Sequence, residues 1–289
     1  MNYIDLSGLR VRIDQGVAYV TIDNPPLNLL DGILLPSLRR FVWAVREDID
    51  VRVIVFESAD PEFFIAHGDM RFITEPASVM AATDAVLAAA PDVPVPATLN
   101  MMAAVHEEIR ALPQLTIGKI AGFARGGGNE LLMALDMRFA AIGKSGQAQP
   151  EALMGIIPGG GGTQYMTALI GRARALELIL GAELVDAELA EKYGLVNRAL
   201  PASDLDSFVG ELALRIASLR PGIIAAAKTA VGASRTPISV EGLSIENKAS
   251  MSLFTSDSAN LAQQQLRAGV QTREGERDLE GLLLGMKRS

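Results

Sequence analysis

The chain has 289 residues, 49% of them hydrophobic and 21% charged, with a net charge of −8 and no cysteine. That length suits one large domain or two average ones with a sizeable core, and the acidic balance disfavours nucleic acid or an anionic membrane as the main partner. Without thiols there is no disulfide, no thiol nucleophile and no thiolate metal site.

The opening stretch MNYIDLSGLRVRID lacks the basic start and apolar run of a signal peptide. No apolar run approaches the ~20 residues that cross a bilayer, so a soluble, cytoplasmic protein is expected. LRVRI (9–13) and VAYVTI (17–22) flank a Gly-containing turn and read as a β-hairpin. NPPLNLLD then leads into LLPSLRRFVWAVRED, whose apolar residues recur three and four apart as in a helix. VRVIVFES (51–58) is a β-branched run of the kind that forms a buried strand. The loop ADPEFFIAHGDM follows, then an Ala/Met-rich helical region closed near Leu112 and interrupted by Pro91. QLTIGKIAGFA (114–124) reads as one more buried strand, ending at Gly126, Gly127 and Gly128.

The pattern then repeats in outline. MRFAAIG (137–143) is a strand, and GIIPGGGGTQYMTALIG is a Gly-rich loop opening a helix. Two further helices stop at Gly181 and Gly194, and a short extended piece ends at Pro201. From there the pattern is helical. Strands alternating with helices over the first two thirds predict α/β architecture, with a boundary near 201–206.

The Gly-rich stretches do not carry nucleotide chemistry. PGGGGTQYM lacks the Gly-Lys-Ser/Thr ending of a phosphate loop, and Leu131 stands where a dinucleotide fingerprint needs its third glycine. The two histidines, His67 and His106, form no metal motif, so neither a metal nor a separate cofactor is expected. A different use fits better. At a strand-to-helix junction the first backbone N–H groups point outward and the helix dipole adds positive potential. Glycines there let a substrate oxygen reach the amides, forming an oxyanion hole in which one donor is worth ~2.7–4 kcal/mol. FFIAHGDM also sets a glycine before an acidic residue and a helix, which pairs Gly68 N–H with Gly127 N–H as candidate donors.

In these motifs the chain resembles the enoyl-CoA hydratase/isomerase (crotonase) superfamily over nearly its full length. FFIAHGDM resembles the loop that carries the first oxyanion donor, at Gly68. IAGFARGGGNELLMALDMRFA resembles the second signature, with Gly127 as the other donor and Glu130 as the first catalytic acid. QPEALMGIIPGGGGTQYMTALIG matches the next block and puts Glu151 at the second acid, and LVDAELAEKYGLVNRALP is also characteristic. The resemblance implies an α/β fold, a spiral of ββα turns over 1–203, and a helical C-terminal region over 204–289 that builds homotrimers or homohexamers. It implies an acyl-CoA thioester substrate with coenzyme A as part of it, lying against Ala66, His67, Asp69, Met70 and Gly126.

The implied reaction is hydration of a 2-enoyl-CoA. One glutamate takes a proton from the water attacking the β-carbon, and the other protonates the α-carbon of the enolate. Two carboxyl groups that close are pushed apart in pKa. Isomerisation, hydrolysis or decarboxylation through the same enolate is the alternative, and a non-catalytic binding or scaffold subunit is another. Three departures from the family pattern stand out. His67 replaces a glycine, either as a solvent-facing loop side chain or as an added contact to the acyl chain or CoA. The Glu130–Glu151 spacing is about one residue longer than usual. The C-terminal stretch FTSDSANLAQQQLRAGVQTREGERDLEGLLLGM lacks the usual acidic-Gly motif and Lys-rich segment, leaving Arg267 or Lys248 to substitute.

Overall fold

The computed structural model describes residues 3, 5–88, 94–219, 221–233 and 240–286. The expected hairpin forms from β1 (Leu9–Asp14) and β2 (Val17–Ile22), paired antiparallel with Leu9 opposite Ile22. Val17, Ala18, Val20 and Ile22 are buried, so β2 has apolar packing on both faces. Helix α1 (Leu34–Arg46) follows; its first amides are held by the Asp31 carboxylate, which accepts from Ile33 N and Leu34 N at 2.9 and 2.8 Å.

A two-sheet spiral then repeats. β3 (Val53–Ser58) lies parallel to β2 in the first sheet, and β4 (Phe63–Ile65) starts the second. The helices α2 (Arg71–Thr74), α3 (Pro76–Leu87) and α4 (Met101–Arg110) complete that turn. Residues 89–93, including Pro91 of the expected helical region, lie outside the described residues. QLTIGKIAGFA is two strands rather than one. β5 (Leu115–Ile120) joins the first sheet beside β3, and β6 (Phe123–Arg125) joins the second beside β4. The corner between them is fixed by Phe123 N donating to Glu62 O at 2.7 Å. Helix α5 (Gly127–Ala134) closes the turn. β7 (Met137–Ile142) and β8 (Gly146–Ala148) repeat the step.

A 3-10 turn, Pro150–Met154, leads to α6 (Gly162–Gly181), which is broken at Gly171. β9 (Val185–Asp186), α7 (Ala187–Tyr193) and β10 (Arg198–Pro201) follow, and Gly194 stops α7 in the left-handed region as expected. The finished sheets run β1-β2-β3-β5-β7-β10 and β4-β6-β8-β9.

The main core fills the space between the first sheet, α1, α4, α5 and α6. The opposite face of that sheet is covered by α8 (Leu205–Ala217), through Leu205, Val209 and Ala213, and by α9 (Ile223–Ala233), through Ile224. Then come α10 (Val240–Ser252), α11 (Ser256–Arg267), α12 (Arg273–Arg277) and α13 (Leu279–Met286). Ala262, Val270, Leu279 and Leu283 pack on Met70, Leu153 and Met154. The last described helices therefore sit against the two loops that carry Gly68 and Glu151. No helix among the described residues is long and apolar enough to cross a membrane.

Candidate active site

The two glycine-bearing loops meet at the ends of the second-sheet strands. After β4 the chain forms a single parallel bridge to Leu30: Leu30 N donates to His67 O, and Asp69 N donates to Leu30 O, both at 3.0 Å. That pattern turns the Gly68 N–H away from Leu30. After β6, Gly126 N donates to Ala148 O, and Gly127 begins α5, so its N–H has no acceptor within the helix. The three glycines have separate reasons. Gly126 sits at φ +50°, and a Cβ there would stand 3.0 Å from Glu151 Oε1. At Gly128 a Cβ would stand 2.6 Å from Ile65 Cβ, so α5 packs against β4 only with hydrogen at that position. At Gly127 the neighbours are the flexible ends of Leu30 and Met102.

Glu130 lies one turn into α5 and is buried. Its Oε1 accepts from Gly160 N at 2.9 Å and Gly162 N at 2.8 Å. A Cβ on Gly160 would fall 2.7 Å from Glu130 Oε2, and one on Gly162 would fall 2.8 Å from Oε1. The PGGGG run is thus a carboxylate cradle. Its carbonyls are held from α4: Asn100 Nδ2 donates to Gly159 O and His106 Nδ1 to Gly160 O, each at 2.7 Å. His106 is fully buried, and that burial pushes its pKa down to about 4, with the Gly160 bond opposing. The ring is neutral, with its proton on Nδ1.

Glu151 sits in the 3-10 turn, 7% exposed, against Gly126. Gln149 Nε2 donates to both its oxygens at 3.3 and 3.4 Å. Asn129 Nδ2 donates to Gln149 Oε1 at 2.8 Å, and Gln147 Nε2 donates to Asn129 Oδ1 at 2.7 Å. This amide chain links α5, β8 and the 3-10 turn, so both glutamates are referred to one framework. Met102, from α4, places its thioether beside Gly127 and Gly160 and its methyl beside Gly68.

The other expected contact residues are turned into the protein. Ala66 is buried with Leu27 and Phe63, and Met70 with Leu153 and Met154. The Asp69 carboxylate accepts from Arg71 N at 2.9 Å, Arg71 Nε at 2.7 Å and Gln271 Nε2 at 3.2 Å. Burial would lift its pKa, but the Arg71 and Gln271 bonds hold it below the ordinary range. What this loop offers to the site is backbone.

The solvent-facing alternative for His67 is corrected: the ring is buried. Nδ1 lies 2.7 Å from Gly68 O and Nε2 lies 2.8 Å from Glu276 Oε1. Burial pulls the imidazole pKa down, yet the Glu276 carboxylate and the Gly68 carbonyl raise it above its usual value. Burial would likewise lift Glu276, and His67, the Gln271 amide and Arg125 bring it below its usual value. Around this pair, Arg125 binds Glu280 at 2.9 Å, while Arg273 and Arg277 bind Glu62 at 2.6 and 2.8 Å. Arg267 and Lys248, the suggested replacements for the family's basic segment, are exposed on α11 and α10.

Sequence reasoning missed the cradle, His106, Gln149, Met102 and Glu276. The four glycines were the visible signal for the cradle. The others carry no local pattern.

The profile of the family "Enoyl-CoA hydratase/isomerase" matches residues 12–272. The chain is 32% identical over 249 residues to the probable enoyl-CoA hydratase echA8 of Mycobacterium bovis, covering 86% of this chain and 90% of the relative. It is 34% identical over 245 residues to the Mycobacterium leprae protein of the same name, covering 84% and 88%. A crystal structure from Streptomyces avermitilis, whose name provisionally assigns it as an enoyl-CoA hydratase, superposes with a TM-score of 0.88 at 48% identity. It covers 98% of this chain and 99% of that one.

Proposed function

Because the chain belongs to the enoyl-CoA hydratase/isomerase family, we propose that it hydrates a 2-enoyl-CoA to the 3-hydroxyacyl-CoA. One observation carries the reading. Two buried carboxylates meet this region, Glu151 against Gly126 at the start of α5 and Glu130 one turn into it, each with its own donors: the Gly160 and Gly162 amides for Glu130, and Gln149 for Glu151. A single-acid reaction needs only one of them.

In this reading the thioester carbonyl oxygen lies between the Gly68 and Gly127 amides. Water adds its oxygen to the β-carbon as one glutamate takes its proton. The alkene electrons move into the thioester as an enolate, whose charge the two amides stabilise. The other glutamate then gives its proton to the α-carbon. One of water's protons stays on the new hydroxyl and the other is held by the base glutamate; proton exchange with solvent then returns the two carboxyl groups to their starting states, so no redox change occurs. Coenzyme A is the carrier portion of the substrate.

The test is a panel of acyl-CoA thioesters incubated in D2O, with products read by mass. Addition of one water with one non-exchangeable deuterium on carbon is the expected result. Deuterium without added water, loss of free CoA, or loss of CO2 would replace hydration with isomerisation, hydrolysis or decarboxylation. No change in any thioester would favour a binding or scaffold role.

A further inference from the structure

Two of the departures from the family pattern are one structural feature. The residue that replaces a glycine in the oxyanion loop, His67, is bonded across 209 residues to Glu276, in the C-terminal segment that lacks the usual motif. We propose that His67 is a positioning residue for the Gly68 amide, held as an imidazolium between the Gly68 carbonyl and the Glu276 carboxylate; this rests on the acyl-CoA site proposed above.

The geometry carries the charge state. A neutral imidazole has one N–H and one lone pair. Here both ring nitrogens face acceptors, at 2.7 and 2.8 Å. A lone pair on Nε2 would point at Glu276 Oε1, which also accepts from Gln271 N at 2.8 Å. Moving the proton onto Glu276 instead is disfavoured by Arg125, whose guanidinium stands 3.9 Å from Oε2. Both ring nitrogens are satisfied only when the ring carries both protons, and the shift of each partner's pKa points the same way.

The charged groups around the ring come from every packed element: Glu276 on α12, Arg125 on β6 with its partner Glu280 on α13, and Glu151 across Gly126. Asp69, two residues on, is taken up by Arg71 and Gln271. His67 thus bridges its own loop and α12 through its two ring nitrogens.

The position matters because Nδ1 bonds the carbonyl of the next residue. That contact closes a tight ring around the Gly68 Cα and limits rotation of the peptide whose N–H is offered to the thioester oxygen. Glycine at position 68 has no side chain to restrict its backbone, so the restraint comes from outside.

The experiment uses the whole protein, and it is simplified by there being only two histidines. In a long-range proton–nitrogen spectrum at a pH just above the ordinary imidazole pKa of ~6.5, His67 should show two N–H groups and His106 one. Raising the pH until His67 loses its second proton should move the Gly68 amide resonance with the same midpoint. One N–H on His67 at that pH, or a Gly68 amide indifferent to the titration, overturns the proposal. Neither readout needs turnover, so failure of every thioester as substrate would remove the hydratase reading and leave this one decided by the spectra.

In an active enzyme, Glu276→Gln should lower kcat and kcat/KM together by roughly ten-fold or more, with KM little changed, as expected for an interaction made in the transition state. A folded Glu276→Gln protein with wild-type kcat would also overturn the proposal.

Discussion

The imidazole of His106 and the carboxylate of Glu130 hold opposite sides of the same residue. Gly160 accepts from His106 Nδ1 at 2.7 Å and donates to Glu130 Oε1 at 2.9 Å. Losing either bond removes one of the contacts that hold the glycine run against the carboxylate, beside those from Asn100 and Gly162.

His106 should also set an acid limit on stability. Its folded pKa is depressed to about 4, against ~6.5 unfolded. The unfolded chain therefore binds the extra proton first, and the contribution present above ~6.5 is lost as pH falls toward 4. The full effect is on the order of 3 kcal/mol. Melting curves between pH 7 and 4 should show a steep decline for wild type. His106→Asn keeps a donor for Gly160 without titrating, and its decline should be shallower; equal slopes would remove His106 as the cause.

The cradle can be tested by one methyl group. A Cβ at position 162 would stand 2.8 Å from Glu130 Oε1 and 2.9 Å from Gln149 Nε2. Gly162→Ala should displace Glu130 and cost ~10²-fold in kcat, the scale of a 1 Å misplacement. Steady-state kinetics with circular dichroism separate this from unfolding. A folded Gly162→Ala enzyme at full rate would mean that the Glu130 position is not set here.

Gly127→Pro removes a donor at a helix position that accepts proline readily. Turnover should fall ~10²–10³-fold, as for loss of one oxyanion donor. Gly127→Ala keeps the N–H and meets only the ends of Leu30 and Met102, so it should retain much more activity. Comparable rates for the two variants would put the oxyanion elsewhere.

The two glutamates should act as a unit. Glu130→Gln and Glu151→Gln should each lower kcat by about 10²–10⁴-fold, the range for general acid–base groups. The double variant should be little worse than the poorer single one. Full hydratase activity in Glu130→Gln would contradict the proposed reaction, and a severe loss confined to Glu151→Gln would indicate isomerisation.

We further propose that the C-terminal helices assemble trimers or hexamers. Val231, Val240, Met251 and Leu253 are exposed on or beside α9 and α10. Light scattering should report three or six chains; a monomer throughout the micromolar range would reject the assembly.

The parts of this molecule that were legible in the sequence are those written contiguously. Gly127 and Glu130 share one turn of helix, and β2, β3 and β7 are long enough to show their burial as apolar runs. The break in QLTIGKIAGFA was hidden because residues on both sides of Gly122 are apolar, and three-residue strands such as β6 carry no periodicity. Glu130 was readable as a candidate acid. Its cradle begins 30 residues later, where four glycines look like any flexible loop. His106 sits on an ordinary amphipathic helix and becomes informative only once Gly160 folds beneath it. Glu276 could not be paired with His67, because no local pattern spans 209 residues.

That separation also sets an order of events during synthesis. At ~5–20 residues per second, His67 precedes its counter-ion out of the ribosome by about 10–40 s. Throughout that interval the loop bearing Gly68 is present while Glu276 does not yet exist, and Gln271 appears only near its end. The nascent chain can build its sheets and seat Glu130 early, but the contact between the Gly68 loop and α12 waits for the last part of the chain.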